Sequence, residues 1–249
     1  TYSTNTDNSI TARDGQDLEQ QRFIRATAIE YTENHLLTTR LSGEHSLSES
    51  GIRLNWGGGY NRSSRDVPSL RRMFYSKNFD ADENEPFRAF VPIQADPFRS
   101  GRFYSDLSED VLNGNLDFTV PFVLAGRKHS VKMGGLYQQK DRLFDARVMG
   151  WTRKTAGFNG ALLNLPQDQI FADSNIADKG FVMGEITNKS DAYDANSQLS
   201  AGFIMFDNKI GEKLRASWGV RVENFKQKVN TFDYSQNPVN VDLSSTDWL

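Results

Sequence analysis

An all-β chain, folded as an antiparallel meander that forms part of a large transmembrane β-barrel, is the fold class this sequence predicts. Three observations predict it. Hydropathy alternates with a period of two along six segments, and successive side chains of a strand point to opposite faces, so each segment reads as a strand between two unlike environments. Connections between the segments alternate between a few residues and several tens of residues, the pattern of barrels with tight turns at one end and long loops at the other. Composition is the third: 12% aromatic residues, 19 glycines and no cysteine among 249 residues suit a sheet and exclude a disulfide framework or thiolate chemistry.

A mean hydropathy of −0.60 and the lack of any long apolar run exclude a transmembrane helix, which needs about 20 such residues. A membrane barrel stays open, because half of every barrel strand is polar. With a net charge of −3 and no clustered basic face, the sequence makes no case for a nucleic-acid partner.

The first segment, NHLLTTRLSGEHSL, sets Leu37, Thr39, Leu41 and Leu47 against Thr38, Arg40, Ser42 and Glu44. After the turn SESG (48–51), IRLNWGGGYN sets Ile52, Leu54, Trp56 and Tyr60 against Arg53, Asn55 and Asn61. NGNLDFTVPF sets Leu116, Phe118, Val120 and Phe122 against Asn115, Asp117 and Thr119, and SVKMGGLYQQK sets Val131, Met133 and Tyr137 against Lys132, Gln138 and Lys140. In DAYDANSQLSAGFIMF the odd positions Tyr193, Ala195, Leu199, Ala201, Phe203 and Met205 read as apolar and Asp194, Asn196, Gln198 and Ser200 as polar. The clearest alternation is KLRASWGVRVENF, with Leu214, Ala216, Trp218, Val220 and Val222 against Arg215, Ser217, Arg221 and Glu223. Strands are expected near 32–47, 51–63, 105–122, 129–150, 191–207 and 213–230.

If the apolar side meets lipid, the candidate lipid-facing residues are Leu54, Trp56, Leu116, Phe118, Val120, Leu199, Phe203, Leu214, Trp218, Val220 and Val222. The candidate lumen-facing set is then Arg53, Asn55, Asp117, Lys132, Asn196, Gln198, Arg215, Arg221 and Glu223. Aromatic residues near segment ends, such as Trp56, Tyr60, Phe122 and Tyr137, suit the girdles of a membrane barrel. Ordinary aromatics in the core of a soluble sandwich would produce the same marks.

Long extracellular loops are expected over 62–105 and 151–190. They mix arginines and aromatics, and Arg65, Arg71, Arg72, Tyr75, Arg99, Arg102 and Tyr104 are the candidate contacts for a small polar substrate, since aromatic faces stack and charged groups orient. Pro166 in LPQDQIFADSNI marks a short loop helix. Other local motifs fail on inspection. DADENE starts like a calcium loop, but Glu85 stands where glycine is needed and Val91 where the closing glutamate belongs. The glycines of WGGGY lie inside a strand pattern, which suits bending or close packing better than phosphate binding. His35, His45 and His129 have no metal-ligand spacing, and no nucleophile sits in a catalytic context, so no enzyme, cofactor or metal is expected.

Three stretches, LLTTRLSGEHSLSESGIRLNWGGGYNRSSRDVPSLRRMFY, RFYSDLSEDVLNGNLDFTVPF and YDANSQLSAGFIMFDNKIGEKLRASWGVRVENF, resemble the middle of the β-barrel of TonB-dependent outer-membrane receptors, in the form common in Bacteroidetes-type bacteria. The resemblance runs from about Tyr31 to Leu249 and implies a wall for active uptake of a polar substrate such as a glycan or an iron chelate. It also implies outer-membrane lipid around the wall, and a plug domain and TonB contact encoded elsewhere. TYSTNTDNSI at one end carries neither an initiator methionine nor a signal sequence, and TDWL at the other reads as the start of a further strand, so the chain is expected to be an internal piece of a longer protein. A non-transport outer-membrane barrel, an adhesin or scaffold, shares the same wall physics, and a soluble secreted carbohydrate-binding β-domain is the third class.

Overall fold

Alternating segments can satisfy their backbone only by pairing edge to edge, and the computed structural model shows them doing so. It describes residues 1–47, 49, 51–177 and 179–249. The strands are β1 (Tyr2–Asp17), β2 (Arg22–Ser46), β3 (Arg53–Asn78), β4 (Arg88–Ala89), β5 (Gly101–Leu124), β6 (Arg127–Arg153), β7 (Phe181–Glu185), β8 (Tyr193–Lys209), β9 (Arg215–Phe232) and β10 (Pro238–Trp248). They form one antiparallel meander in the order β1-β2-β3-β5-β6-β8-β9-β10, with β4 added to β3 and β7 to β6. The sheet is not closed, and β1 and β10 are its edges.

Turns at one end are short. Ala125 and Gly126, at φ 49° and 71°, close β5 onto β6 as a two-residue hairpin whose left-handed backbone matches the strand twist. Residues 210–214 join β8 to β9, and Leu47 N–H donates to the Ile52 carbonyl (2.8 Å) where β2 turns into β3. Ser48 and Ser50 of that expected SESG turn lie outside the described residues. At the other end the connections are 18–21, 79–100, 154–192 and 233–237.

The strands run further than the alternation suggests. β3 continues to Asn78 and β5 starts at Gly101, so the first long loop is 79–100 rather than 62–105. A β-bulge hides this extension: Val67 pairs Ser105 and Leu70 pairs Phe103, leaving one extra residue of β3 unopposed beside Pro68. Proline donates nothing to a ladder and is tolerated at such a bulge, and the extra residue reverses which parity faces which way. β1, whose residues are nearly all polar, was not expected as a strand, and TDWL proves to be the end of an 11-residue strand instead of the start of one.

A single open sheet buries little, and the packed core sits where the two long loops meet. Met73, Ala89, Val91, Trp151, Leu163, Ile170 and Phe181 form it, with Phe181 and Ile170 fully buried. Trp151 stacks on Phe171 with centroids 4.1 Å apart, and Phe171 meets Phe181 edge-on at 5.1 Å. The expected loop helix is reduced to a single turn, in which Ile170 N–H donates to the Pro166 carbonyl (2.9 Å). Short 3-10 turns at Gly160–Asn164, Asp173–Asn175 and Lys189–Asp191 complete the loop, and no α-helix forms among the described residues.

Candidate functional site

Directly opposed residues of an antiparallel pair share a face, so register sorts every side chain of the sheet. One face is apolar over a broad band. It carries Leu37 and Leu41, then Leu54, Trp56 and Tyr60, then the even positions from Leu112 to Phe122. Val131, Met133 and Tyr137 continue it, followed by Ile204 and Phe206, and by Trp218, Val220 and Val222. These residues are not a core: Trp218 is 58% exposed and Val220 46%. The band stops at Arg62, Asp110, Gln139, Gln198 and Asn224 on the same face. Tyrosines mark that edge, with Tyr60 donating its hydroxyl to Asp110 and Tyr137 donating to Gln139 (3.3 Å). Rings mark the other edge, where Phe206 stacks on Trp218 (4.6 Å) and Phe122 on His129 (5.3 Å).

The opposite face is polar over the same span. Asp117 accepts from Asn55 Nδ2 (3.1 Å) and pairs with Lys132 (3.1 Å), and Glu109 pairs with Arg142 and with Lys140 (3.4 Å). Arg215 bonds Asp207 and Arg221 bonds Glu223, each at 2.5 Å. Arg53, Asn55, Asp117, Lys132, Arg215, Arg221 and Glu223 therefore share this face.

Strand β8 corrects the sequence reading. Phe203 is opposite Arg221 and Leu199 opposite Phe225, so both lie on the polar face and not beside Val220. Asn196 and Gln198 fall on the other face, beyond the band, where Asn196 Nδ2 bonds Asp141 Oδ1 (2.5 Å). The run FIMF (203–206) is apolar at both parities, so only the register with β9 decides its sides. Phe203 lies over Gly134, where a Cβ would come within 2.9 Å of its ring, and Lys132 Nζ sits 5.9 Å from the ring centroid. Leu214 stands in the β8–β9 hairpin, just before β9 begins.

Above the polar face, loop 79–100 folds back across the sheet. The cross-strand pair Gly101–Gly150 admits it, with Pro97 over Gly101 and Ala95 over Gly150. The loop thereby sets Phe90, Phe98 and Arg99 against β2 and β3. Arg99 lies 4.6 Å from the Phe90 centroid and 5.7 Å from that of Phe74, Arg22 lies 5.4 Å from Phe74, and Arg72 5.7 Å from Phe98. Arg22 is held by Asp17 through two bonds of 2.9 and 3.1 Å. Arg13, Glu30, Arg72, Phe74 and Phe98 line a cavity of about 310 Å³ on this shelf. Arginine planes over rings give a surface that stacks flat groups and donates to oxygens.

The seven candidate substrate contacts divide between the two faces. Arg72 and Arg99 belong to the shelf, and Arg65, 4.0 Å from Glu30, lies on the same face below it. Arg71, Tyr75, Arg102 and Tyr104 lie on the opposite side, under loop 154–192, where the Tyr75 hydroxyl donates to the Leu165 carbonyl (2.9 Å). All but Arg99 stand on strands instead of loops. Arg13, Arg22, Phe74, Phe90 and Phe98 were missed, and only the mixture of Arg and Phe along 72–99 hinted at them. In the DADENE turn, Asn84 N–H donates to Asp82 (2.9 Å), and among the described residues no three acidic or histidine side chains gather as metal ligands.

No protein-family model and no curated protein sequence matches the chain. Among solved structures it is similar to the alcaligin outer-membrane receptor FauA of Bordetella pertussis, at 10% identity and a TM-score of 0.37, over 99% of this chain and 38% of that one. The chain thus spans less than two fifths of that receptor's length. At that TM-score the likeness decides nothing about function, and the weight falls on the two faces of the sheet.

Proposed function

We propose that this chain is a wall segment of a TonB-dependent outer-membrane receptor that takes up a polar substrate, the apolar band meeting lipid and the polar face lining the lumen. The observation that carries the reading is the band. From Leu112 to Phe122 it covers ten residue steps, about 33 Å along the strand at about 3.3 Å each. A strand tilt of about 40° reduces this to about 25 Å, the height of the apolar belt of such barrels. Exposed aliphatics inside the belt, tyrosines at one edge with ring pairs at the other, and two long loops confined to one end support the same reading. A soluble sandwich would cover these residues with a second sheet.

On this reading the long loops are extracellular, and the Arg–Phe shelf hangs over the lumen mouth as the substrate contact. A glycan or an iron chelate fits, since both offer oxygens to arginine and flat surfaces to phenylalanine. The sequence resemblance supports a Bacteroidetes-type receptor, with a plug domain and TonB supplied outside this segment and with transport, not catalysis, as its activity.

The test uses single cysteines in the complete protein in membranes. Cysteines at Ala216, Val220 and Val222 should be quenched by a lipid-soluble reagent, and those at Ser217 and Gly219 by a water-soluble one. If the even positions are shielded from both, they face protein and the reading is wrong.

A further inference from the structure

Arg71 and Arg102 stand directly opposite each other across β3 and β5, on the face that bears the apolar band but beyond its polar edge. Like charges directly opposed on adjacent strands repel and destabilise the pair. Among the described residues none forms an ion pair with either one. Arg71 Nε donates to Ser69 Oγ (3.2 Å), and Arg102 Nη1 reaches only the Tyr104 hydroxyl (3.4 Å). Neighbouring arginines on the same face do have partners: Arg25 meets Asp14 (3.0 Å), Arg62 meets Asp110 (4.0 Å) and Arg147 meets Glu185 (3.0 Å).

The two unmatched guanidinium groups open into a cavity of about 480 Å³ roofed by the loop residues Gln167, Asp168 and Phe171, with Trp151 in its wall. The bulge beside Pro68 creates the pair, because if the ladder ran on in step from Val67–Ser105, Leu70 would oppose Arg102 and Arg71 would oppose Gly101 on the other face. We propose that Arg71 and Arg102 form a clamp for an anionic saccharide, a sugar bearing a phosphate or a carboxylate. Two guanidinium forks can grip one such group with charge-assisted hydrogen bonds. Trp151 and Phe171, stacked on each other, add an apolar wall beside the arginines, and among the described residues the Gln167 amide has no hydrogen-bond partner and can meet hydroxyls. Asp168 lines the same cavity and disfavours groups of higher charge than the two arginines neutralise.

Position argues for a saccharide over a bare lipid phosphate. Arg102 lies ten residues beyond Leu112 at the band's edge, about 25 Å above it for a strand rise of about 3.3 Å and a tilt of about 40°. That height belongs to the sugar layer of a membrane surface and not to its phosphate plane. The sugar can come from a surface glycolipid of the same leaflet or from solution. The clamp itself does not depend on transport.

The experiment titrates the complete protein in detergent with glucose 1-phosphate, galacturonate and glucose, read by Trp151 fluorescence in a background without other responding tryptophans and by calorimetry. Both anionic sugars should bind and glucose should not. Arg71→Gln and Arg102→Gln should each weaken binding at least tenfold, with Tm unchanged or raised because a repulsion is relieved, and the anionic sugars should raise the wild-type Tm only. Purified lipopolysaccharide with and without its core phosphates forms the second arm. Saturation by the phosphorylated form, dependent on both arginines, assigns the glycolipid source, and saturation by the small sugars alone assigns the free one. Glucose binding as well as its phosphate, no binding by any probe, or equal binding by the Gln variants overturns the proposal.

Discussion

Two glycines decide how loop 79–100 lies. A Cβ on Gly150 would come 2.7 Å from the Ala95 Cβ and 2.9 Å from Asp96 N, and one on Gly101 would come 2.6 Å from Pro97 Cα. These atoms are backbone or stubs and cannot swing aside as the end of a long side chain would. Gly150→Val should therefore lift the loop from the polar face at a cost of about 1–3 kcal/mol, the usual range for overpacking. Trypsin cleavage after Arg88 and Arg99 would rise several-fold. Gly184→Ala is the control, since its added carbon would meet Ala95 at an ordinary 3.8 Å. Unchanged protection in the Gly150 variant would show that the loop is held by something other than this close approach. The Arg–Phe shelf would be lost with the loop, because Phe90, Phe98 and Arg99 all ride on it.

Among the elements, the β9–β10 hairpin offers a pH readout outside the apolar band. Asp233 accepts from the Asn237 backbone N–H (2.9 Å) and side chain (3.2 Å), and these bonds hold its carboxyl below the usual carboxylate range, backbone bond first. A lowered folded-state value means that the turn's contribution is present above the ordinary value of 3.8 and is lost as pH falls from there through the lower folded-state value. Hydrogen exchange at Asn237 and along β10 should therefore accelerate over that window, and Asp233→Asn should remove the dependence. An exchange rate indifferent to pH there would mean the turn is held by strand pairing alone. Legibility in the sequence follows the same element-by-element logic. β9 was legible because Arg215 to Glu223 alternate without a break, and parts of β5 and β6, Asn115 to Val120 and Ser130 to Met133, for the same reason. β1 was not, since TNTDNS presents no apolar side, and its strand state comes from the sixteen-residue ladder with β2. β3 is legible only to about 63 because the bulge beside Pro68 reverses the parity of RRMFY, and so Arg65, Arg71, Arg72 and Tyr75 stand on a strand where the sequence predicts a loop. The shelf stayed hidden for a further reason: Arg13 and Arg22 come from β1 and β2, and no local pattern shows that loop 79–100, so far along the chain, will fold onto them.

For the whole molecule, what matters is that one face is apolar only over a limited height. A protein core penalises a charge wherever a side chain is buried, whereas a lipid belt penalises it by depth. Val220, between Trp218 and Val222, sits inside the band, Asn224 lies just past its edge on the same face, and Ser217 faces the other way, opposite Asp207. Lysine at Val220 should cost about 2–4 kcal/mol in the complete protein folded into bilayers, and lysine at Asn224 about 0–1 kcal/mol. Lysine at Ser217 should change little, since the face is already charged and Asp207 can receive it; surface changes of this kind stay within about 0.5 kcal/mol. Folding titrations in urea, scored by the gel shift between folded and unfolded barrel, measure all three. Repeating them in lipids of shorter acyl chain separates the two environments. If Val220 meets lipid, thinning the bilayer brings the headgroups toward it and lowers the cost of lysine, while Ser217 stays where it was. A cost at Val220 that ignores chain length would place a protein surface, not hydrocarbon, against Trp218, Val220 and Val222, and the outer-membrane reading would fall with it.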